Sequence, residues 1–293
     1  MVSDLVLLRS YALCLLAYGL ALVVAAVAAF AFDPLHPIIV AAIANVAATV
    51  VIYAFSTTYN NSSFYDPYWS LAPIVIAASW TAAAENPEID VQRQVLALSL
   101  VIAWGLRLTF NWLRRWEGLE HEDWRYADLR QKFGRHYWLI DLLGIHLFPT
   151  IQVFLGCLAL YPAVSSGGEA FGALDVAALS LGITAVVIEA TADNQLWDFL
   201  RHKQPGEIMK KGLWAYSRHP NYFGEILFWW SLWLFGLAAD LYWWWTAIGP
   251  LSITLMFVYA SVPLIDKRNL ERRPGYEEHM RRVSAIVPWL PYD

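Results

Sequence analysis

Apolar residues run along this chain in blocks far longer than a strand or the core-facing stripe of a soluble helix requires, at roughly 5–30, 38–55, 69–84, 94–113, 138–162, 172–196, 222–238 and 242–263. A helix needs about 20 apolar residues to cross hydrocarbon, so the pattern predicts about eight spans. The third and seventh blocks are short for that role, and seven spans with one re-entrant or tilted piece fit as well. The first block exceeds the apolar core of a signal peptide and is read as a retained helix, despite the cleavage-like Ala28-Ala29-Phe30-Ala31. After the fourth block, charges alternate with Leu119, Trp124, Tyr126, Leu129 and Phe133 over 116–136, the pattern of a lid or brace helix lying in the interface plane. The expected fold is therefore all-α: one polytopic membrane domain over 1–293, a bundle of seven to eight transmembrane helices with an interfacial helix after the fourth.

Basic residues orient the bundle. They gather in 107–135, 201–218 and 267–282, whereas the alternate loops at 31–37, 85–92, 164–171 and around Asp240 hold no Lys or Arg. The positive-inside rule then places the three basic stretches and both termini in the cytosol. The sequons at Asn60 and Asn61 fall in a cytosolic loop on this map, so glycosylation is not expected there.

Composition agrees with a lipid solvent: 58% of residues are hydrophobic and 15% charged, and mean hydropathy is +0.43. The 16 Trp, 15 Tyr and 14 Phe suit rings at two membrane interfaces and around an apolar ligand. A net charge of -5 offers no basic surplus for a nucleic-acid backbone. Cys14 and Cys157 lie inside apolar runs, so neither a disulfide nor a metal site is expected. No inverted repeat of the transporter kind is visible, and the glycine-rich, Walker, nucleophile-elbow and zincin motifs are all missing from the chain.

Ionisable groups inside hydrocarbon cost about 2.5–3.5 kcal/mol each and therefore point to a cavity, a partner or a function. Glu189 and Asp193 stand four apart on one face near the cytosolic end of the sixth span. Two such carboxylates call for a cation, ligand donors or a shared proton, and Arg201 and Lys203 are the nearest cations in sequence; solvation at the interface is the plainer alternative. Asn221 and Glu225 repeat the spacing at the start of the seventh span, after Arg218-His219-Pro220, where a helix N-terminus offers free N–H groups to an anion. His36, His121, His136, His146, His202 and His279 are scattered and read as interface or loop residues. His219 differs, flanked by Arg218 and Asn221.

The string Lys211-Gly-Leu-Trp-Ala-Tyr-Ser-Arg-His-Pro-Asn-Tyr-Phe-Gly-Glu225 resembles the steroid 5-alpha-reductase family, in its DUF1295 branch. The likeness extends upstream through Gln204-Pro-Gly-Glu207 and the Ala-Asp-Asn-Gln of 192–195, and downstream through Lys267-Arg268, Gly275-Tyr276 and Val287-Pro-Trp-Leu-Pro291. It implies a helical bundle that holds NADPH on the cytosolic side, beside a lipid-accessible cavity for a steroid or similar enone. Over 138–293 the cofactor would meet Asn221, Tyr222 and Glu225, with Asp193, Asn194, Arg218, His219, Lys267 and Arg268 around them and Lys203 close by. Arg107, in Arg-Leu-Thr-Phe, resembles the family's Arg-Thr-Phe and would add a phosphate contact. Over 1–113, the substrate side, Tyr65-Asp66-Pro-Tyr-Trp-Ser-Leu-Ala-Pro73 can be laid on the family's Gln-Glu-Leu-Pro-Ser-Phe-Ala-Val-Pro. Asp66 then takes the place of the catalytic Glu, with Tyr65 or Tyr68 assisting, while Trp104 stands where the family has its catalytic Tyr.

The expectation is an NADPH-dependent reductase of a carbon–carbon double bond conjugated to a carbonyl, in a lipophilic, steroid-like or isoprenoid substrate. It would need membrane lipid but no nucleic acid and no obligate protein partner, and would sit in a bacterial inner membrane or the endoplasmic reticulum. The alternative is an S-adenosylmethionine-dependent membrane methyltransferase of the isoprenylcysteine carboxyl methyltransferase type, which shares the Arg-His-Pro-x-Tyr element. A non-catalytic scaffold or carrier, with the polar groups as packing glue, is the third reading.

Overall fold

The computed structural model describes residues 4–292, of which only the backbone is described at Asp4. Helices account for 78% of the chain, and the described residues form no strand. In chain order they are α1 (Asp4–Ala31), α2 (Pro37–Thr58), a 3₁₀ turn at Ser62–Tyr65, α3 (Tyr68–Ala82), α4 (Val91–Leu113), α5 (Trp124–Phe133), α6 (Tyr137–Ile140), a π-helical stretch at Asp141–Leu147 and α7 (Phe148–Cys157). After a second π-helical turn at Pro162–Ser166 come α8 (Ala173–His202), α9 (Pro220–Ala239), the 3₁₀ segment Leu241–Ala247, α10 (Ile248–Met256), the π turn Phe257–Ser261, α11 (Val262–Arg272) and α12 (Tyr276–Arg282).

Seven helical stretches among the described residues are long and apolar enough to cross a membrane, and the chain is a multi-pass integral membrane protein. The piece left over is α3. Its 15 residues rise about 22 Å at 1.5 Å each, against about 30 Å of hydrocarbon. Even so, α3 connects the two ends of the bundle: Ser70 near its start bonds Thr109 of α4, and the loop beyond it bonds the opposite end, Asn86 to the Ser166 carbonyl. The block over 222–238, expected to be short, belongs to the full 20-residue α9.

Two buried ion pairs set the bundle's axis. At the starts of α4 and α8, Arg93 makes a fork to Asp175 (2.6 and 2.9 Å) and spends its other donors on the carbonyls of Glu169, Ala170 and Ala238. Toward their other ends Arg107 pairs with Asp193 at 2.8 Å. The two helices therefore run parallel. The antiparallel α9 passes close to α8 because Gly182 faces Ser231 and Gly224 faces Glu189, leaving no room for a Cβ on either glycine. Trp104, Phe228, Trp229, Leu232 and Phe235 fill the core between them, and a smaller cluster of Cys14, Ala17, Ile52, Phe64 and Tyr65 joins α1 to α2. The outer faces of α1, α2 and α8 are studded with exposed Leu, Val and Ile, as a lipid-facing surface requires. Tyr242, Trp244 and Trp245 stand exposed at the end opposite the basic one, in the place of an interfacial aromatic belt.

Both members of the Arg93–Asp175 pair are about 1% exposed. Arg93→Met should leave a carboxylate buried without its cation and cost about 3–5 kcal/mol. The measurement is the thermal unfolding midpoint in detergent, which should fall steeply; a midpoint equal to that of the parent would show that the pair does not hold the bundle together.

Candidate functional site

Polar groups meet at the basic end of the bundle, where the last turns of α4 and α8 converge on the first turns of α9. Arg107 donates to Glu189 through Nη2 and to Asp193 through Nη1. One helical turn on, Asn111 Nδ2 donates to the same Asp193 oxygen at 3.0 Å. Arg114 grips the Asn111 and Asn194 side-chain oxygens (2.7 and 2.6 Å) and lies over the Trp197 ring. The cation demanded by Glu189 and Asp193 thus comes from α4. Lys203 and Arg201 do not supply it: Lys203 lies about 15 Å farther along the helix by its rise, where the backbone turns extended, and Arg201 stacks over Trp197. Lys203 instead lines a separate hollow of about 440 Å³ with Gln195, His202, Glu207 and Lys211.

Glu225 lies next to Glu189 across the close α8–α9 contact at Gly224. Its two oxygens accept from two indoles, Trp104 at 3.1 Å and Trp229 at 2.9 Å. Trp104 therefore acts as a donor to a carboxylate, with its ring stacked flat on Phe228 at 4.4 Å. Several buried atoms here lack a partner: Arg107 Nε, Glu189 Oε1 and Asn221 Oδ1.

Arg218 and His219 turn to a different task. Arg218 holds the carbonyls of Met280 and Val283 and the Asp266 carboxylate, while its backbone N–H donates to the Ser284 carbonyl. His219 Nε2 lies 3.1 Å from Asp266, which also accepts from the Tyr276 hydroxyl at 2.7 Å. This cluster clamps the C-terminal segment onto the start of α9. Of the Arg218 side-chain nitrogens, Nε alone is buried without a partner. Tyr222 stacks on His219 with an 8° tilt, and its ring also meets Phe257. Lys267 is exposed, and Arg268 sits 3.4 Å over the Trp124 ring, fastening α5 to α11. Asp193, Arg107, Glu225 and Asn221 thus share one neighbourhood, whereas Lys203, Lys267 and most of Arg218 do not.

On the substrate side, the hydroxyls of Tyr65 and Tyr68 are taken up by Thr150 (2.8 Å) and Asn45 (2.9 Å). The hydroxyl at Asp66 belongs to Tyr126 of α5, 2.7 Å away. Burial pushes the Asp66 carboxyl up to about 6, against the opposing pull of the Arg125 charge and of hydrogen bonds from Tyr126 and Ser63. Trp69, one turn beyond Asp66 in sequence, meets Trp104 edge-on at 6.1 Å.

Sequence reasoning passed over Asn111, Arg114, Tyr126 and Asp266. The spacing of Asn111 four residues after Arg107 was a usable signal; nothing local marked Tyr126 or Asp266. His146, read as an isolated interface residue, is fully buried between Ser56 and Asp141, with Nε2 3.0 Å from the Ser56 hydroxyl and Nδ1 3.2 Å from the Asp141 carboxylate. Ser62 bonds the same carboxylate at 2.8 Å, which pins the 3₁₀ turn preceding Asp66. His279 is also buried, and its imidazole is pushed down to about 4, chiefly by burial.

A raised carboxyl pKa means that the folded chain keeps a proton that the unfolded chain has lost. Between about pH 4 and pH 6, Asp66 should therefore lower stability as pH rises. The midpoint difference between Asp66→Asn and the parent should grow in the variant's favour across that window and level off above it. A pH-independent difference would mean that Asp66 ionises normally.

The family model described as "Protein of unknown function (DUF1295)" matches residues 52–283. "Uncharacterized protein C594.04c" of Schizosaccharomyces pombe (strain 972 / ATCC 24843) is 28% identical over 279 residues, covering 87% of this chain and 80% of the relative. No solved structure matches the chain.

Proposed function

Since the chain belongs to the DUF1295 family, we propose that it is a membrane-embedded reductase which uses NADPH to saturate a carbon–carbon double bond conjugated to a carbonyl in a lipophilic substrate. The observation that carries this reading is the pair of buried, unpartnered polar atoms Asn221 Oδ1, on the turn of α9 that leads to Glu225, and Arg107 Nε, on α4 beside Glu189 and Asp193. A buried donor or acceptor without a partner costs about 1–3 kcal/mol. An amide-bearing, anionic ligand would satisfy both kinds: its N–H groups suit Asn221 Oδ1, and its carbonyl and phosphate oxygens suit Arg107. NADPH has that donor set, so the residues fit the cofactor.

Asn221, Tyr222 and Arg107 would hold the nicotinamide portion, with Glu225 and Asp193 keeping Arg107 and the surrounding indoles in place. Arg114, Asn194 and Arg268 lie on the side from which phosphates would enter. When bound, NADPH supplies a hydride to the β-carbon of the enone. The chain's part is to keep water away with the Trp69–Trp104–Phe228 wall and to offer a proton to the carbonyl oxygen as negative charge gathers there. Asp66, with its carboxyl held toward the protonated form, is suited to that role. The basic end faces the cytosol under the positive-inside rule, where NADPH is supplied. A steroid-like or isoprenoid enone fits a site entered from lipid, in a bacterial inner membrane or the endoplasmic reticulum.

Thermal-shift titration of the detergent-purified protein tests the reading. NADPH should raise the midpoint in a concentration-dependent way, by about 2.7 kcal/mol of added stability at a hundred times its Kd, and Asn221→Ala should abolish the rise. A shift with S-adenosylmethionine in place of NADPH would establish the methyltransferase alternative, and no shift with either would end both.

A further inference from the structure

The hollow beside Lys203 lies on the far side of α8 from the candidate site. Successive residues of a helix are turned by about 100°. Asp193 and Trp197 therefore share the face that meets Arg107 and Arg114 of α4, and Gln195, Asp198, Phe199 and His202 share the opposite one. The loop after α8 folds back onto this second face. Trp214 donates its indole N–H to the Ala192 carbonyl at 3.0 Å, the Leu213 backbone N–H donates to Gln195 Oε1 at 2.9 Å, and Met209 packs with Ala192 and Trp214. Gly206 and Gly212 take the positive φ, 80° and 60°, that the fold-back requires. Between loop and helix remains the hollow of about 440 Å³. A second hollow of about 420 Å³ adjoins it, sharing Phe199, Met209 and Lys211 and reaching Lys210.

The chemistry of the lining is set by which of its groups are already taken. Lys203, Lys210 and Lys211 form no ion pair with any described residue. Glu207, the acid of the loop, accepts from the Gln204 backbone N–H at 2.9 Å and so shapes the turn that carries it. Asp198 has no ion pair, and His202, whose Nδ1 lies 2.8 Å from the Asp198 carbonyl, keeps Nε2 clear. The two hollows therefore offer three ammonium groups to an anion, and the Asp198 carboxylate and His202 Nε2 to hydroxyl donors, over an apolar floor of Phe199 and Met209.

We propose that this hollow binds the headgroup of an anionic phospholipid whose phosphodiester carries a polyol, glycerol or inositol, drawn from the leaflet at the basic end. The phosphate meets the lysines, and the polyol hydroxyls donate to Asp198 and His202. Headgroups that end in an ammonium set a cation against the lysines, choline has no hydroxyl for Asp198, and phosphatidic acid lacks the polyol altogether. The place in the fold agrees. The hollow lies level with Trp197 and one turn beyond it, at a helix end where Trp and Lys mark the membrane interface, and basic pockets at such helix ends collect anionic headgroups. The free volume is far more than a bare phosphate fills, and the opposite faces of α8 keep the lipid and the candidate site apart. None of this depends on the reductase reading.

The test uses the full-length protein in mixed micelles, with no cofactor added. Phosphatidylglycerol or phosphatidylinositol should raise the thermal midpoint at concentrations where phosphatidylcholine, phosphatidylserine and phosphatidic acid do not. Each Lys near an anionic lipid contributes about fivefold in affinity. Lys203→Gln with Lys211→Gln should therefore weaken binding about 25-fold, while the lipid-free midpoint stays unchanged because both side chains are exposed. Asp198→Ala should narrow the preference for phosphatidylglycerol over phosphatidic acid. Lys132→Gln, which removes an exposed cation of α5 outside the hollow, should bind as the parent does. An equal loss in Lys132→Gln would reduce the effect to general attraction by the basic end, and equal binding of every anionic lipid would remove the polyol; either result overturns the proposal. Glycerol 3-phosphate matching phosphatidylglycerol at the same concentration would make the ligand a soluble phosphoester, and displacement of the lipid by NADPH would give the hollow to the cofactor; each overturns it as well. A parent protein that is shifted by NADPH and by none of the lipids would end this proposal and leave the reductase reading standing, and the reverse pattern would do the opposite.

Discussion

A guanidinium held between two carboxylates inside a membrane bundle is the constraint from which the basic end of this protein is built. Each of Arg107, Glu189 and Asp193 alone would be intolerable among lipid-facing helices. Together they cross-link α4 to α8 and leave each other partly unsatisfied, at Arg107 Nε and Glu189 Oε1. Such a cluster holds its shape because every member would be worse off elsewhere, and shape retained without a full set of partners is what a ligand site requires. Gly224 completes it by letting α9 bring Glu225 and its two indoles to the same place.

The opposite end uses the same kind of pairing with a different outcome. Arg93 and Asp175 spend nearly all their hydrogen-bonding capacity on one another and on nearby backbone, so that end is closed and structural. The contrast between a saturated pair and an unsaturated one, on the same two helices, is the clearest physical difference between scaffold and candidate site in this fold.

Hydropathy is a property of consecutive residues, so the membrane blocks were legible; of the two that read as short, the third is the 15-residue α3 and the seventh is part of the full 20-residue α9. The paired acids Glu189 and Asp193 were legible as a demand for charge, because four-residue spacing puts them on one face. The answer to that demand was hidden: Arg107 lies 82 and 86 residues away, and only the parallel packing of α4 and α8 brings it there. The cations nearest in sequence, Arg201 and Lys203, are the wrong ones for the same reason. Arg218 shows the converse limit. Its motif was conspicuous, yet most of its donors serve the chain terminus, since a motif records which residues sit together and leaves open which way they point.

His146 was invisible for a geometric reason that bears on how this fold can change. Residues five apart on an α-helix face about 140° away from each other, but in a π-helical stretch position i meets i+5, and Asp141 and His146 use that spacing to share a bond. The length of this stretch is therefore not free. Losing one residue from Asp141–Leu147 would close the wide turn into an ordinary helix, so that Asp141 and His146 no longer face each other and the hydroxyls of Ser62 and Ser56 lose the arrangement that holds them. Homologous chains can vary the outward-facing residues of this helix widely, yet insertions and deletions within it should be close to forbidden, a constraint on length where the composition alone is permissive.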